Sequence, residues 1–295
     1  HGTTGTPYLV DADHLNGPHG VTVDCLGNLY VTEAEGQRLL KYDSAGTLVW
    51  SMGKAGIAGW DYNMLNHPLG VAVDEGHGRV YVADRRAHRV QVFDTDGNYV
   101  DTIGVTGQSG SDSGHFNGPA GVAVDDDGNV YVGDSMNHRI QIFDASGVYS
   151  ATLGSGPGTG NYRFNEPEGI AFDSGGNVYV ADLGNHRVQV YTPGLVYSTT
   201  LGVAGSPGGG NDRFRFPNTV AVDSDDNLYV VDGHNHRVQM FDASLELVAT
   251  VGEAGVSGSD DGHFRYPAGA AIDPGTDRLY VADKGNFRVQ AFDDE

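Results

Sequence analysis

Short stretches of alternating apolar and polar residues follow one another along the chain, separated by turns rich in Gly, Asn and Asp. In the stretch Asn129–Asp134, Val and Tyr alternate in the way that is typical of a half-buried strand. The preceding turn, Asp127–Asn129, supplies the residues that adopt the positive φ angles of a tight hairpin. No stretch has the period of an amphipathic helix. The pattern therefore predicts an all-β protein made of short antiparallel strands.

The strand pattern belongs to a repeat of about 50 residues, which is clearest in the segment Ala87–Asp94 and its copies. An arginine marks the same position of each copy, at Arg38, Arg89, Arg139, Arg187, Arg237 and Arg288. Each unit contains four strand patterns, of which the first has the form Pro-x-Gly-Val-Ala-Val-Asp, as in Pro119–Asp125. The six units occupy the whole chain, which predicts a single domain over residues 1–295. Four antiparallel strands repeated radially define a six-bladed β-propeller.

The two ends of the chain suggest how the ring closes. The sixth unit stops after its third strand, near Phe292, whereas a strand-like segment, Thr6–Val10, precedes the first unit. We expect this N-terminal strand to pair with the last blade, because such pairing leaves no open sheet edge at the seam. Removal of residues 1–12 is then expected to destabilise the protein far more than loss of an exposed terminus would.

The charge balance excludes several classes of function. The chain has 17 Lys and Arg against 39 Asp and Glu, a formal net charge of −22. Nucleic-acid binding is not expected, because it depends on clustered cations, and no apolar run is long enough for a membrane span. Cys25 is the one cysteine, so no internal disulfide framework is expected. The chain begins at His1, which fits a mature exported protein or an excised domain, and an extracellular or cell-surface location is the expectation.

The repeat segments resemble those of the NHL-repeat family of propellers. The resemblance is carried by Asn137–Ile140 and Asn185–Val188 together with the Pro-x-Gly and Tyr-Val-x-Asp segments, and it covers all six units. It implies a six-bladed, toroidal propeller with a central channel. It does not imply one function, since the family includes RNA-binding and protein-binding domains, receptor ectodomains and a peptide-amidating lyase. Function must therefore be inferred from the residues that differ between repeats.

Residues that recur in every repeat are predicted to be structural. Each repeat arginine follows an acidic residue by five positions, and these acids are Glu33, Asp84, Asp134, Asp182, Asp232 and Asp283. This spacing predicts a repeated arginine–carboxylate network within or between blades. The repeat histidines are predicted to pack and form hydrogen bonds on separate blades rather than to share a metal; they are His88, His138, His186 and His236.

Two sets of variable positions are predicted to surround the mouth of the central channel. The residues after the repeat prolines are His19, Leu69, Ala120, Glu168, Asn218 and Ala268. The residues two positions after the repeated acids are Glu35, Arg86, Met136, Gly184, His234 and Gly285. Both sets differ from blade to blade, as a binding site would and a scaffold need not. The predicted ligand-binding residues are His19, Glu35, Arg86, Glu168, Asn218 and His234.

Three of these residues form a candidate cation site. Imidazole, carboxylate and amide oxygen are competent ligands, so His19, Glu168 and Asn218 could hold Ca or Zn at the channel. Gluconolactonase-like propellers, which are similar in architecture, hold a catalytic metal there. The amidating lyases have a zinc-binding histidine after three repeat prolines, whereas here only His19 follows one, and His234 replaces their loop tyrosine. The other interpretation is a polar, wet mouth with no metal and no cofactor.

The sequence leaves two classes of function open, with non-enzymatic binding favoured. The leading hypothesis is a binding or scaffold propeller that recognises a protein, peptide or glycan through its loop faces, with self-association as a further possibility. The alternative is a metal-dependent lyase or hydrolase at the channel mouth, amidating-lyase-like or gluconolactonase-like. It would use His19, Glu168 and Asn218, with His234 or Arg86 in support. Tightly bound zinc or calcium would favour the enzyme.

Overall fold

A computed structural model describes residues 15–293, which form six antiparallel sheets arranged around a central axis. The strands, in chain order, are β1 (Pro18–Val23), β2 (Leu29–Glu33), β3 (Arg38–Tyr42), β4 (Leu48–Gly53), β5 (Pro68–Asp74), β6 (Arg79–Asp84), β7 (Arg89–Asp94), β8 (Tyr99–Gly104), β9 (Val122–Val124), β10 (Val130–Asp134), β11 (Arg139–Phe143), β12 (Tyr149–Leu153), β13 (Pro167–Phe172), β14 (Val178–Asp182), β15 (Arg187–Tyr191), β16 (Tyr197–Gly202), β17 (Pro217–Val222), β18 (Leu228–Asp232), β19 (Arg237–Phe241), β20 (Leu247–Val251), β21 (Gly269–Ile272), β22 (Leu279–Asp283) and β23 (Arg288–Phe292). Three-residue 3-10 helices join the second and third strands of blades 2 to 6, at Arg85–Ala87, Ser135–Asn137, Leu183–Asn185, Gly233–Asn235 and Lys284–Asn286.

The six-bladed propeller predicted from the repeat is confirmed. Five sheets are four-stranded meanders, and the sixth contains β21, β22 and β23 among the described residues. The ring closes at its innermost strands, where β1 packs against β21. The strand predicted at Thr6–Val10 lies outside the described residues, so closure by an N-terminal strand stays a prediction.

The core lies between neighbouring blades. The middle strands, such as β10 and β14, are buried along their whole length because both faces of each blade pack against other blades. One cluster joins Tyr81 and Ala83 of blade 2 to Val130 and Val132 of blade 3. Burial of each such side chain contributes about 1.5–3 kcal/mol. The outer strands, such as β4 and β12, are largely exposed.

Glycine in the Pro-x-Gly slot allows the innermost strands to approach the axis closely. A Cβ atom on Gly121 would lie 1.8 Å from the carbonyl oxygen of Glu168 in the next blade. A Cβ atom on Gly269 would lie 2.2 Å from the carbonyl oxygen of His19, which shows that blades 6 and 1 meet in the same way. Blade 5 has Thr219 in this slot, and its hydroxyl donates a hydrogen bond of 2.8 Å to the carbonyl of Ala268.

The antiparallel order divides the loops between two faces. The mouth face contains the loops from strand 2 to strand 3 of each blade and from strand 4 to strand 1 of the next blade. The turn face contains the short turns from strand 1 to strand 2 and from strand 3 to strand 4. The candidate residues chosen from the sequence all belong to the mouth face.

Candidate functional site

A buried arginine–carboxylate pair holds each blade together at the mouth face. In blade 4, Arg187 Nε donates a hydrogen bond of 2.7 Å to Asp182 Oδ2, and the backbone N–H of Asn165 donates one of 2.7 Å to Asp182 Oδ1. The guanidinium also donates to the carbonyls of Thr159, Gly160 and Arg163 in the loop that enters the blade. Burial raises the pKa of Asp182, while the hydrogen bonds oppose this shift.

The same Arg Nε–carboxylate bond joins the equivalent pairs of the other blades, namely Arg38–Glu33, Arg89–Asp84, Arg139–Asp134, Arg237–Asp232 and Arg288–Asp283. The predicted network is therefore confirmed, and its ion pairs lie within blades. In blades 2 to 6 the arginine also binds carbonyls of the preceding loop, so each of these five pairs joins the connection from the previous blade to its own strands.

The repeat histidines join neighbouring blades at the mouth face. His186 has a φ of 58°, and its Nδ1 accepts a hydrogen bond of 3.2 Å from the backbone N–H of Phe216 in the next blade. Equivalent bonds join His88 to Gly118, His138 to Glu166 and His236 to Tyr266. In blade 1, Gln37 occupies the slot and its Oε1 accepts a hydrogen bond from the backbone N–H of His67 at 2.6 Å. The predicted hydrogen-bonding role is confirmed.

A cavity of about 400 Å³ opens at the mouth between blades 5, 6 and 1. Its walls include four of the residues chosen from the sequence: His19, Glu35, Asn218 and His234. They also include Tyr266, Lys284 and Phe287, which the sequence analysis did not select. A second cavity of about 310 Å³ lies along the axis and is lined by the first strands of the blades, as the propeller model requires.

Glu168 lies one blade away from this cavity and is linked to it through Asn218. The Glu168 carboxylate is 3.6 Å from Arg85 Nη1, and its Oε2 accepts a hydrogen bond of 3.4 Å from Asn218 Nδ2. Only 13% of its side chain is exposed. Burial raises the pKa of Glu168, and the charge of Arg85 opposes the shift. The ion pair compensates for the placement of this carboxylate in the mouth.

Arg86 does not line the cavity, and its side chain is exposed. Its backbone N–H donates a hydrogen bond to the carbonyl of Asn66, which joins the 3-10 turn to the loop before β5. The preceding residue, Arg85, is the one that contacts Glu168. Arg85 and Arg86 are the first and second residues of the 3-10 turn Arg85–Ala87, so their side chains leave the turn in different directions.

His19 is half-buried at the mouth, and its ring forms no hydrogen bond with any residue of 15–293. Burial lowers its pKa well below the usual value, and the charges of Lys284, His67 and Arg85 act in the same direction. The imidazole is therefore neutral near pH 7, with one nitrogen able to donate and the other able to accept a hydrogen bond.

The predicted inner ring is divided into an apolar and a polar part. Leu69 and Ala120 are 3% exposed and pack with Ala34 in a small buried cluster on blades 1 to 3. On the other side, His19 and Asn218 line the open cavity. These two of the six positions of the ring are thus buried hydrocarbon, and both belong to blades outside the cavity wall.

The candidate metal ligands are not clustered as a set of strong donors. Within the described part of the chain, no three His, Cys, Asp or Glu side chains are grouped so that they could hold a metal ion. Asn218 directs its amide nitrogen at Glu168, and the cations Arg85 and Lys284 act on both His19 and Glu168. A cation site at His19, Glu168 and Asn218 stays a prediction.

The residues that were not selected from the sequence occupy two recognisable slots. Lys284 directly follows the repeated acid Asp283, as Arg85 follows Asp84. Tyr266 directly precedes a repeat proline and has a φ of 48°. The set of residues one position after the repeated acids, instead of two, would have included both Arg85 and Lys284. The direction in which a 3-10 turn presents its side chains is not evident from sequence spacing alone.

Aromatic rings support the cavity wall on blades 5 and 6. The ring of His234 is 4.7 Å from Phe216 and 5.3 Å from Tyr266 between centroids. Tyr266 in turn lies 4.6 Å from His236, the residue that binds its backbone N–H. These edge-on and tilted contacts are favourable for aromatic pairs and hold the exposed rings in place.

The fold and its mouth cavity define the class of protein as a six-bladed β-propeller with a ligand-sized cavity at one end of the axis. The family model described as NHL repeat matches residues 15–42, 65–93, 116–143, 164–191, 214–241 and 264–292. The chain therefore belongs to the NHL-repeat family, as the resemblance implied. Within residues 15–293, the structure contains no helix of the length and apolar character that a membrane span requires.

The chain is also similar to a human protein of the family. It is 33% identical to NHL repeat-containing protein 3 of Homo sapiens over 98 residues, which covers 32% of this chain and 26% of the human protein. The similarity therefore spans about a quarter of that relative, which supports the family but does not transfer a role.

Three solved structures have this fold; one is described as of unknown function, one as a binding protein and one as an enzyme. A protein of unknown function from Bacteroides thetaiotaomicron has a TM-score of 0.73 at 20% identity, over 97% of this chain and 72% of its own. An auxiliary nutrient binding protein from the same species has a TM-score of 0.72 at 15% identity, over 95% and 70%. A gluconolactonase from Xanthomonas campestris has a TM-score of 0.66 at 15% identity, over 95% and 87%. At these identities the likeness shows the fold alone.

Proposed function

We propose that this protein is a non-enzymatic binding propeller that recognises a protein, peptide or glycan ligand at its mouth face. The observation that carries the proposal is the cavity of about 400 Å³, whose wall residues differ between blades while the surrounding scaffold repeats. A site of this kind uses the repeat for rigidity and the variable positions for recognition.

The chemistry of the wall supports binding. Tyr266 and Phe287 are 50% and 52% exposed beside the cavity, and His19, Asn218 and Lys284 add polar groups. Exposed aromatic area with a few convergent polar groups is typical of ligand sites. The nutrient binding protein of the same fold gives a precedent for the class, although at 15% identity it says nothing of this chain's ligand.

The proposal is tested by screening purified protein against peptide and glycan arrays. A ligand found there should lose at least about tenfold in affinity for a His234→Ala, Tyr266→Ala double variant, since about 1.4 kcal/mol of lost contact corresponds to that factor. The matched control is Leu26→Ala, because Leu26 is 76% exposed on the turn face. Equal losses in both variants, or unchanged binding in the double variant, would argue against a mouth site.

The enzymatic alternative has one specific observation in its favour. Burial lowers the pKa of His19, so its imidazole at the channel mouth is in the neutral form that binds metals. The neighbouring cations Arg85 and Lys284 oppose a bound Zn²⁺ or Ca²⁺. Elemental analysis distinguishes the two proposals: stoichiometric metal that is lost in Glu168→Ala would favour a metal-dependent lyase or hydrolase.

Self-association is a separate part of the proposal and is tested by light scattering. A mass near that of one 31.2 kDa chain at all concentrations would contradict assembly by the isolated chain.

A further inference from the structure

We propose that the mouth cavity binds a carboxylate group carried next to an apolar or aromatic group, with Lys284 as its ion-pair partner. This inference rests on the proposed binding function and names the chemistry of the ligand. The chain has a formal net charge of −22, and yet the wall of the mouth cavity contains Lys284, which has no ion pair among residues 15–293.

Lys284 is half-buried, and its ammonium has no ion pair or hydrogen bond with any residue of 15–293. Arg85, by contrast, faces the carboxylate of Glu168 at 3.6 Å, and the repeat arginines are paired with the repeated acids. A partly desolvated ammonium without a partner is unfavourable. An anionic ligand group would supply the missing partner, at a place where water competes less than on the open surface.

His19 provides a second polar group in the same cavity. It lies close enough to Lys284 for that charge to lower the pKa of its imidazole, and its ring nitrogens have no partner among the described residues. A neutral imidazole can donate one hydrogen bond to a carboxylate oxygen. Lys284 and His19 come from blades 6 and 1, so they approach the ligand from two walls rather than from one loop.

The acid in the cavity wall does not neutralise Lys284. The side chain of Glu35 is 55% exposed, and its Oε1 lies 3.9 Å from Nδ1 of His67 on the blade 2 side. Solvent screens a carboxylate this exposed. The more buried Glu168 is engaged by Arg85 and Asn218. The charge of Lys284 also lowers the pKa of Glu168, but less than the charge of Arg85 and the hydrogen bond of Asn218 do, and no carboxylate of residues 15–293 forms an ion pair with Lys284.

The apolar part of the ligand is indicated by the two exposed aromatic rings beside Lys284. Tyr266 and Phe287 line the cavity with about half of each side chain exposed. The cavity of about 400 Å³ is at the small end of the roughly 300–1,000 Å³ range of ligand pockets. It therefore fits a small organic acid or the end of a chain rather than a folded surface.

The experiment compares N-acetyl-phenylalanine with its amide by isothermal titration calorimetry. The two probes differ only in the carboxylate, so we expect the acid to bind at least about tenfold more tightly, a factor that corresponds to one partly desolvated ion pair. Lys284→Gln should abolish this preference. Lys54→Gln should retain it, because Lys54 is an exposed lysine of the mouth face outside the cavity.

Acetyl-Gly-Gly-Phe distinguishes the two sources of such a carboxylate. Tighter binding of this peptide than of the amino acid derivative would indicate a chain terminus, and equal or weaker binding a small molecule; both support the inference. Equal affinity for acid and amide, or an unchanged preference in Lys284→Gln, would overturn it.

Phe287→Ala separates this inference from the proposed function. If it weakens acid and amide alike while Lys284→Gln has no effect, the mouth site stands and the carboxylate proposal fails. If neither probe binds the protein, the carboxylate proposal fails and the array screen alone decides the proposed function. Circular dichroism of each variant checks that the propeller is intact.

Discussion

The mouth face and the turn face are built from the same repeat but use acidic residues differently. On the turn face, Asp173 accepts hydrogen bonds from the backbone and side chain of Asn177 and from the hydroxyl of Tyr179, all within one hairpin. On the mouth face, Asp182 binds Arg187 and, through it, a loop that comes from the previous blade. One aspartate organises a local turn, and the other joins distant segments.

The basic residues are also distributed unevenly between the faces. Only Lys41, Arg79 and Arg278 belong to the turn face, and the other basic residues are on the mouth face. The turn face is therefore strongly acidic. The mouth face contains the repeat arginines, which bind loop carbonyls, and further cations such as Lys284, which is available to a ligand. The net charge of the chain is therefore a poor guide to the charge at its site.

The largest effect on stability is expected when one aspartate is removed from each face of blade 4 in turn. Asp182→Ala leaves the buried guanidinium of Arg187 without its partner, so we expect unfolding free energy to fall by about 3–5 kcal/mol. Asp173→Ala removes only local hydrogen bonds and should cost about 1 kcal/mol. Urea unfolding measures both. Similar losses would mean that the two aspartates have equal structural roles.

The blade-to-blade bond of the mouth face predicts a dependence on pH. Burial, followed by the charges of Arg215 and His234, lowers the pKa of His186 below its unfolded value of about 6.5. In acid the unfolded chain therefore binds the proton more readily, so this contribution to stability is present above pH 6.5 and is lost as the pH falls.

His186→Gln keeps a side-chain acceptor, as Gln37 does in blade 1, but it cannot titrate. Between pH 7.5 and 5.5 the variant should lose less unfolding free energy than the natural protein, because Gln cannot take up the proton that the unfolded chain binds at His186. Urea unfolding at the two pH values measures this difference. An identical pH dependence would show that the imidazole does not couple the blades.

A change in salt should act on the two faces in opposite directions. Salt screens the repulsion among exposed carboxylates of the turn face, so raising it from about 10 mM to 0.5 M is expected to increase the melting temperature by a few degrees. The same change should weaken the binding of N-acetyl-phenylalanine at Lys284. Calorimetry measures the melting temperature, and titration measures the affinity for N-acetyl-phenylalanine. If salt raises both or lowers both, the proposed difference in charge between the two faces is wrong.

The smallest effect is expected for the contacts between blades on the turn face. The hydroxyl of Ser224 donates a hydrogen bond of 2.9 Å to Asp277 of the next blade, and Ser174 bonds Asp226 in the same way. The Cys25 thiol occupies the equivalent slot and donates to Glu75 at 3.0 Å. Because these contacts are exposed, Ser224→Ala should cost less than about 0.5 kcal/mol in urea unfolding. If Ser224→Ala lowered the unfolding free energy as much as Asp182→Ala, the turn-face contacts would matter as much for stability as the mouth-face pairs.

The scaffold could be predicted from the sequence to the level of individual pairs. The spacing of five residues between Asp182 and Arg187 recurs in each unit, and it places the two residues opposite each other on paired strands. The site could be predicted only in part. His19, Asn218 and His234 line one cavity as expected, but the contribution of Arg85 in place of Arg86 depends on the direction in which a 3-10 turn presents its side chains.

The number of blades, the strands and the arginine–carboxylate pairs follow from the sequence alone, because a repeated structure needs the same residues at the same spacing. Which variable residues meet depends on how the chain folds into a closed ring. Lys284, His19 and Asn218 come from blades 6, 1 and 5, and they share a cavity because the closed ring brings distant segments to one axis. Ring closure sets which side chains and charges meet across that axis. These contacts differ from blade to blade, so the repeat in the sequence does not reveal them.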